Sequence, residues 1–371
     1  MKENYKPIGD YIRVVNQKNK DLNVSQLIGL SIDKCYIPSV ANIIGTDLSN
    51  YKIIKKNQFA CSLMQVSRDG KIPIACMTEY DEAIMSPAYV IFEIIDENVV
   101  LPQYLDMWFM RSEFDREASF LAVGGVRGSL AWDDFCRMEF PLLPLSEQKE
   151  IVKAYQIIED RITLKKQIND NLEAQAQALF TLKVQDSCEL RALGSFGTVI
   201  TGKTPSTEIP EFYGNDVPFI KTPDMHGNVY ITSSENALSA LGADSQANKY
   251  LPDNTVIVAC IGANAGEVAI TSFRSQTNQQ INAIISKYPC FLYFSIKAHT
   301  AELRTLGEGS STMININKTS FENYEIPTLK DDDLQLLEKQ LSKFFSLVLS
   351  NLQEIDKLIE TKDILVTQLS H

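Results

Sequence analysis

One short pattern in the second half of the chain has the spacing of a phosphate-binding loop. Gly197, Gly202, Lys203 and Thr204 satisfy G-x-x-x-x-G-K-[ST], in which backbone N–H groups and a lysine hold nucleotide phosphates. That chemistry requires a helix directly after the loop. Here Pro205 follows at once, and the stretch PSTEIPEFYGNDVPF carries no apolar stripe. The sequence therefore predicts a polar loop and not a nucleotide site.

Several loops carry the side-chain types that hold DNA. Lys, Ser and Thr bind phosphate oxygens, Arg can bond guanine, and Asn or Gln can bond adenine. In the first half, the predicted DNA contacts are Asn16, Gln17, Lys18, Asn19, Arg68, Lys71, Arg127 and Ser129. In the second half, they are Thr201, Lys203, Thr204, Ser206, Lys221, Arg274, Asn278, Gln279 and Gln280. Any one of them can also be an ordinary surface residue, so the prediction concerns the loops as groups.

No other pattern in the sequence indicates catalysis. The adenine methyltransferase signature (Asn or Asp, then Pro-Pro and an aromatic residue) is missing, as are G-x-G-x-x-G and G-x-S-x-G. The 3 His and 7 scattered Cys form no C-x-x-C or ligand cluster, so we expect no metal site and reduced thiols in a cytoplasmic protein. No apolar run approaches the roughly 18 residues of a membrane span.

The elements that position these loops are short and mixed. Runs rich in β-branched and aromatic residues predict strands at 26–32, 59–66, 72–77, 88–95 and 137–143. The dipeptide Asp69-Gly70 predicts a hairpin. Residues 105–120 have a helical pattern, and 123–128 form a Gly-rich loop. The first half therefore predicts a compact α+β domain with a curved, mostly antiparallel sheet.

The second half repeats this plan. Leu193-Gly194 follows Ile8-Gly9 at an offset of 185, and 256–261 aligns with 59–64. Residues 293–306 predict another helix, and 307–312 another Gly/Ser loop. At an offset of 186, the apolar positions before each half ends also match: Phe135, Met138, Phe140 and Pro141 with Phe321, Tyr324, Ile326 and Pro327. A repeat of this length indicates a duplicated domain rather than a solenoid.

Each half ends in a long helix with a narrow apolar seam. The first is predicted from Ser146 as N-cap, and no Pro or Gly interrupts 146–187. Its seam positions alternate by four and three residues, a coiled-coil period: Ile151, Tyr155, Ile158, Ile162, Lys165, Asn169, Leu172, Ala176 and Leu179. The second seam follows 186 residues later: Leu337, Leu341, Phe344, Val348, Asn351, Ile355, Leu358, Lys362, Leu365 and Leu369.

Two helices with one seam each most simply pair with each other, although two unrelated surface helices have the same pattern. The polar seam residues Lys165, Asn169, Asn351 and Lys362 either fix the register and the antiparallel direction or are merely solvated. The predicted domains are 1–144 and 186–329, and the predicted helical segments are 145–185 and 330–371.

The charge of the chain argues against strong nucleic-acid binding by the chain alone. The formal net charge is −12. Residues 1–142 hold 15 basic and 19 acidic side chains, and residues 186–328 hold 9 and 14. Neither half is basic, so any DNA binding must depend on a local surface or on a basic partner.

Several stretches resemble the specificity subunits of type I restriction–modification systems. They are PLLPLSEQKEIV…LEAQAQALF, LGSFGTVITGKTPS with PFIKTPDM, TNQQINAI, MQVSRDGKI and IMSPAYVIFEI. The most specific parts are the SEQKEIV helix start and TGKTPS followed by NQQIN, and the resemblance covers nearly the whole chain. The second helix departs from the pattern, because LKDDDLQLL stands where the first has LSEQKEIV, which puts one partner-docking surface in doubt.

The resemblance implies a function without catalysis. In such a subunit, two target-recognition domains each read one half of a split asymmetric DNA site, and an antiparallel helix pair separates them. Two methyltransferase subunits dock on the helices, bind S-adenosylmethionine and methylate adenine at N6. Two restriction subunits, which use ATP and Mg, join for cleavage. The chain itself would bind no cofactor.

Two alternatives come from other classes of protein. One is a self-contained nuclease or NTPase on the same scaffold, whose turnover Lys203→Ala would abolish. The other is an acidic coiled-coil adaptor or DNA mimic, which fits the charge and predicts no sequence dependence in any complex. The Asn, Gln, Ser and Thr content of the loops favours the reading of bases over both.

Overall fold

The computed structural model describes residues 4–39, 46–64, 66–124, 128–185, 187, 189–227, 229–307 and 314–369. The chain divides into two compact units. The first unit is Met1–Arg161 with Leu358–His371, and the second unit is Ile162–Lys357. Each unit contains one α+β domain and a part of each of two long helices.

In the residues that the structure describes, the first unit has ten strands and four short α-helices before the first long helix. Its strands are β1 Tyr5–Pro7, β2 Ile12–Val15, β3 Ile28–Leu30, β4 Tyr36–Pro38, β5 Lys52–Lys55, β6 Phe59–Cys61, β7 Ile74–Cys76, β8 Glu82–Met85, β9 Val90–Ile94 and β10 Glu139–Pro141. Its short helices are α1 Val66–Asp69, α2 Pro102–Phe109, α3 Ser112–Leu121 and α4 Trp132–Arg137, and the long helix α5 is Leu145–Val184.

The main sheet of the first unit has the order β2-β9-β6-β7, and all its pairs are antiparallel. Smaller sheets pair β1 with β10, β3 with β4 and β5 with β8. Aromatic rings fill the core beneath the main sheet, where Phe59 stacks on Phe92 with ring centres 5.0 Å apart. The mostly antiparallel α+β domain expected from the sequence is confirmed.

The second unit repeats this plan with additions. Its strands are β11 Glu189–Ala192, β12 Gly197–Thr201, β13 Tyr213–Ile220, β14 Tyr230–Ile231, β15 Ala237–Leu238, β16 Val256–Ala259, β17 Val268–Thr271, β18 Gln276–Thr277, β19 Ile281–Ser286 and β20 Glu325–Thr328. Its helices are α6 Ala240–Asp244, α7 Pro289–Ala298, α8 Thr300–Gly307, α9 Lys318–Glu322 and the long α10 Asp331–Gln368.

The main sheet of the second unit has the order β12-β19-β16-β17-β14. Its first four strands therefore follow the same order as the four strands of the first unit. The N-terminal and C-terminal strands of each domain also pair in the same way, β1 with β10 and β11 with β20. The duplication predicted from the sequence is thus present in the topology. The additions are a parallel edge strand, β14, and a second small sheet, β15-β13-β18.

Three local predictions differ from the structure. The predicted helix 105–120 is two helices, α2 and α3, separated where Arg111 is extended (ψ 138°). The predicted helix 293–306 is likewise α7 and α8, and each first helix begins at a proline, which suits the first helical position. Strands β6 and β7 form the predicted hairpin, but the short helix α1 lies inside its loop and Gly70 follows with φ +67°.

The long helices pack against each other. In the second unit, the hydroxyl of Ser187, which follows the end of α5, donates to the carbonyl of Thr328, which precedes α10. Lys165, in the middle of α5, pairs with Glu354, in the second half of α10. The two helices are therefore antiparallel there. Helix α5 begins at Leu145, so Ser146 lies inside its first turn and is not the N-cap that the sequence predicted. No helix in the described part of the chain is long and apolar enough to span a membrane.

Candidate nucleic-acid interface

The predicted loops of the second unit leave its main sheet at one edge. Thr201, the last residue of β12, pairs with Asn282, and Ala259, the last of β16, pairs with Ile281. The loop after β12 and the loop before β19 are therefore neighbours. We call residues 201–206 and 277–280 the second polar edge.

Close backbone contacts fix the shape of the second polar edge. The N–H of Gly202 donates to Ile281 O (3.0 Å), and that of Lys203 donates to Thr277 O (2.9 Å). A Cβ on Gly202 would lie 2.1 Å from the carbonyl oxygen of Asn278, so only glycine fits. The two loops are thus held as one surface.

This geometry rules out a phosphate-binding loop. Its first residues, Gly197–Thr201, form strand β12, and the described chain has no α-helix between them and α6. The N–H groups of Gly202 and Lys203, which would have to face phosphates, are bonded to carbonyl groups instead. The stretch is a polar loop that lacks the following helix, as its sequence predicted.

The polar side chains of the second polar edge are partly bonded to one another. Thr204 Oγ1 donates to Gln279 Oε1 (2.6 Å), and Asn278 Nδ2 donates to Gln280 Oε1 (3.1 Å). The Asn278 side chain is buried, whereas those of Lys203, Ser206 and Gln279 are exposed. Thr201 Oγ1 donates inward to Asn282 Oδ1 (2.6 Å). The groups that face solvent are therefore a subset of the predicted set.

Two further predicted residues lie at different distances from this surface. Lys221 directly follows Ile220, whose carbonyl accepts from the N–H of Asn278 (3.2 Å), so Lys221 adjoins the second polar edge. Its Nζ donates to Asn236 Oδ1 (2.9 Å). Arg274 follows the opposite end of β17, and its guanidinium lies 3.7 Å from the centre of the Tyr250 ring.

Two residues that support the loop had no recognisable pattern in the sequence. Lys249 Nζ donates to Thr201 O (3.0 Å), and Gln246 Nε2 donates to Lys203 O (2.8 Å). Both follow α6, about 45 residues from the loop in the chain. Only the folded arrangement of the additional elements brings them to it.

The first unit presents loops at the equivalent edge. Val15, the last residue of β2, pairs with Ile91, and Cys61, the last of β6, pairs with both Val90 and Ile74. The loops after β2 and β6 therefore leave the sheet on the same side, as in the second unit. We call residues 16–18, 62–71 and 128–130 the first polar edge.

The predicted residues of the loop after β2 divide into exposed and buried ones. Asn16, Gln17 and Lys18 are exposed. Asn19 is buried, because its side chain donates to Val24 O (2.9 Å) and accepts from Val24 N (3.3 Å). Asn19 therefore shapes the loop.

The other predicted residues of the first unit gather around α1. Arg68 is exposed and pairs with Asp69 (2.7 Å), and Lys71 pairs with Asp33 (3.3 Å). Ser129 lies beside this loop, since Leu130 N donates to Leu63 O (2.9 Å). Arg127 lies outside the described residues.

Each of the predicted seam positions on the two long helices is buried or half-buried. In the second unit, Lys165 Nζ donates to Asn351 Oδ1 (2.8 Å) and also pairs with Glu354 (2.8 Å). Asn351 Nδ2 in turn donates to Asn169 Oδ1 (2.7 Å). The polar residues of this seam are thus joined in one network.

In the first unit, the seam has a second polar pair. Lys362 Nζ pairs with Glu159 (2.6 Å) and lies 5.7 Å from the centre of the Tyr155 ring. Leu365, Val366 and Leu369 join the core of the same unit. The polar seam residues are therefore bonded across the helix pair and are not simply solvated.

Each long helix also caps a helix of its domain with one buried side chain. Gln148 of α5 accepts from Leu101 N (2.9 Å), just before α2, and donates to Val99 O and Leu143 O. Glu338 of α10 accepts from the N–H groups of Cys290 (3.0 Å) and Phe291 (2.8 Å) at the start of α7. Burial raises the pKa of Glu338, and the two N–H bonds oppose that rise. Neither anchor was predicted.

Large apolar side chains remain exposed along both long helices. Those more than half exposed are Ile157, Leu164 and Leu182 on α5, and Leu336, Leu347 and Ile364 on α10. Ile157 and Leu164 are seven residues apart, so they lie on the same side of α5. Exposed apolar stripes of this kind mark protein–protein contact sites.

Within the described residues, no group of three or more His, Cys, Asp or Glu side chains is placed to hold a metal ion. The described cysteines are free: Cys35, Cys61, Cys76, Cys136, Cys260 and Cys290. Most of them are buried, and burial raises the thiol pKa, as for Cys260, to about 12. The buried thiols are therefore unreactive packing groups.

Comparison with known proteins agrees with this architecture. A family model described as “Type I restriction modification DNA specificity domain” matches residues 186–361. The specificity subunit of the type I restriction enzyme HindI from Haemophilus influenzae is 28% identical, over 94% of this chain and 92% of its own length. The MjaIX specificity subunit from Methanocaldococcus jannaschii is 27% identical over 45% of this chain and 40% of its own.

A solved structure shares the fold. The S subunit of a type I restriction–modification system from M. genitalium matches with a TM-score of 0.59 at 13% identity, over 98% of this chain and 95% of that one. The shared architecture is a pair of α+β domains with two long packed helices. Over nearly its whole length, the chain is similar to DNA specificity subunits of type I restriction–modification systems.

Proposed function

We propose that each polar edge reads one half of a split, asymmetric DNA site. The observation that carries this proposal is that two sheets of the same strand order present polar loops at the same edge. The loops differ in sequence, so the two half-sites should differ as well. The reading domains are 1–144 and 186–329, and the helical segments 145–185 and 330–371 carry the assembly surface.

The exposed residues of the second polar edge suit distinct roles. Lys203 and Ser206 are placed to hold phosphates, and Gln279 presents an amide of the kind that bonds adenine. The buried Asn278 would support Gln280 rather than touch a base. In the first polar edge, the exposed Arg68 has the chemistry to bond guanine.

The helix pair would dock two methyltransferase subunits, which bind S-adenosylmethionine and methylate adenine at N6. The exposed apolar residues of α5 and α10 support this proposal. Two restriction subunits, using ATP and Mg, would join the same cytoplasmic complex for cleavage.

The variant Leu164→Asp should reduce co-purification of the methyltransferase at least tenfold. Leu190→Asp, at an equally exposed leucine (56%) on β11, should leave it unchanged.

The test of DNA reading uses the complex of this chain with its methyltransferase. Lys203→Ala should weaken binding to every DNA sequence and lower the slope of log K against log salt concentration by about 1. Lys287→Ala is the matched control, because Lys287 is exposed at the opposite edge of the same sheet. Equal behaviour of the two variants would contradict the proposal. A complex without any sequence preference would favour the adaptor or DNA mimic.

A further inference from the structure

Two apolar residues of the first unit are unusually exposed. Phe120, near the end of α3, is 78% exposed, and Val123, in the turn Ala122–Gly124, is 73% exposed. Both exceed every other large hydrophobic side chain in the described part of the chain. We call these two residues the apolar tip.

The apolar tip does not belong to the core of the domain. The inner face of α3 is filled by Phe114, Ala118 and Ala122, which are spaced four residues apart and buried. Phe120 therefore points away from a face that is already packed. A partner that covers the Phe120 ring would therefore gain the free energy of burying that apolar surface.

The apolar tip adjoins the first polar edge. Helix α1, which carries Arg68, packs against both α3 and the turn Ala122–Gly124. The loop before α1 is also bonded to the chain after the tip, through Leu130 N and Leu63 O (2.9 Å). The tip and the proposed reading loop are thus parts of one surface.

Three exposed cations lie on the elements that carry or adjoin the apolar tip. The side chains of Arg116 on α3, Arg68 on α1 and Lys71 after it are 70%, 65% and 49% exposed. Each of them pairs with an acidic neighbour in the free chain, and each could exchange that partner for a phosphate. Apolar side chains between arginines are the arrangement with which proteins wedge open a base step.

We propose that Phe120 and Val123 form a wedge that inserts between base pairs of the first half-site and unstacks them. This inference rests on the proposal that the first polar edge reads DNA. It adds recognition by deformation, since base steps that unstack easily bind such a wedge best. A flexible step, such as TA or CA, is therefore expected where the wedge enters.

The second unit has only a reduced counterpart of the apolar tip. At an offset of 186, Phe120 corresponds to Leu306, which is 42% exposed, and Val123 corresponds to a glycine. Helix α8 ends there against the loop after β16, since Arg304 donates to Ala263 O (2.6 Å). The distortion should therefore be strong in the first half-site and weak in the second.

The test uses the complex with its methyltransferase and duplexes that carry 2-aminopurine at successive positions of the first half-site. The wild-type complex should raise the fluorescence at one step. The double variant Phe120→Ala, Val123→Ala should abolish that rise and weaken binding by about tenfold or more. The variant Phe120→Leu should keep most of the fluorescence rise and most of the DNA affinity. Ile95→Ala is the control, because Ile95 is 52% exposed at the opposite edge of the same sheet.

Two results would overturn the inference. In the first, the double variant gives the same fluorescence rise and the same DNA affinity as the wild type. In the second, the double variant no longer binds the methyltransferase, which would assign the tip to a protein partner. The underlying function is assessed separately by point changes in each half-site. If the complex ignores those changes, the reading of DNA fails, whereas intact sequence preference without fluorescence change rejects the wedge alone.

Discussion

At the scale of single residues, Gly202 allows the two loops of the second polar edge to meet, because a Cβ there would lie 2.1 Å from the carbonyl oxygen of Asn278. The loop around it was expected to be polar and exposed, because its prolines and polar residues exclude a helix. Its closeness to the Asn278 carbonyl could not be predicted, since that contact depends on the pairing of β12 with β19, 80 residues away. The burial of Asn19 and Asn278 escaped prediction for the same reason.

Gly202→Ala should disrupt the second polar edge. The new Cβ would lie 2.1 Å from a backbone oxygen, so one of the two loops must move. We expect the complex to lose discrimination at the second half-site, by about tenfold or more, and to keep it at the first. The measurement is competition binding with duplexes altered in one half-site at a time.

Gly214→Ala provides the control, because the nearest atom to its Cβ would be 3.2 Å away. Normal discrimination at both half-sites in Gly202→Ala would show that the loop conformation does not matter. If Gly202→Ala lost discrimination at both half-sites, the second polar edge would not be specific to the second half-site.

At the scale of elements, the long helices were the most predictable feature. A seam repeats locally along one helix, so it is visible in the sequence without knowledge of the fold. The seam pattern nevertheless missed Phe180, Phe345 and Val366, which are buried against the domains rather than between helices. Short strands such as β5 and β8 were missed as well, because three or four residues carry too little periodicity.

The Asn169–Asn351 pair offers a test of the helix seam. Asn351→Leu alone should destabilise the second unit by about 1–2 kcal/mol, because it leaves Asn169 and one bond of Lys165 without a partner. Leucine at both positions should recover most of that loss, since a packed apolar pair often equals a buried polar one. Thermal unfolding measures the stability of both variants. If the double variant were less stable than Asn351→Leu alone, the result would contradict the account.

The two helix anchors make a separate prediction. Gln148→Ala should destabilise the first unit, and Glu338→Ala the second, each by about 1–3 kcal/mol, because buried N–H groups lose their acceptors. Local hydrogen exchange should increase at the start of α2 in the first variant and at the start of α7 in the second. Lys149→Ala and Lys339→Ala, at exposed neighbours, are the controls. Exchange that stays unchanged at both helix starts would show that the anchors are dispensable.

At the scale of the whole molecule, the repeat was visible as a constant offset of 185 to 186 residues. The offset identified a duplicated domain because both copies begin and end in the same way. It could not identify β14 or the sheet β15-β13-β18, which differ from the small sheets β3-β4 and β5-β8 described in the first unit. The positions of the polar edges also required the structure, because sheet order depends on long-range pairing.

The charge of −12 leads to a prediction for the whole chain. The purified chain should bind duplex DNA weakly or not at all, because neither half is basic and phosphates repel an acidic protein. Addition of the methyltransferase should produce tight binding with a steep dependence on salt. Fluorescence anisotropy at several salt concentrations measures both. Strong, sequence-specific binding by the chain alone would contradict this.

The central claim is that each domain reads its own half of a split site. The most direct measurement is to map N6-methyladenine in random-sequence DNA methylated by the complex, with the natural chain and with residues 186–328 replaced by those of another family member. We predict a split asymmetric motif, of which the replacement changes one half and preserves the other half and the spacing. A contiguous motif, no motif, or a change in both halves would contradict the account.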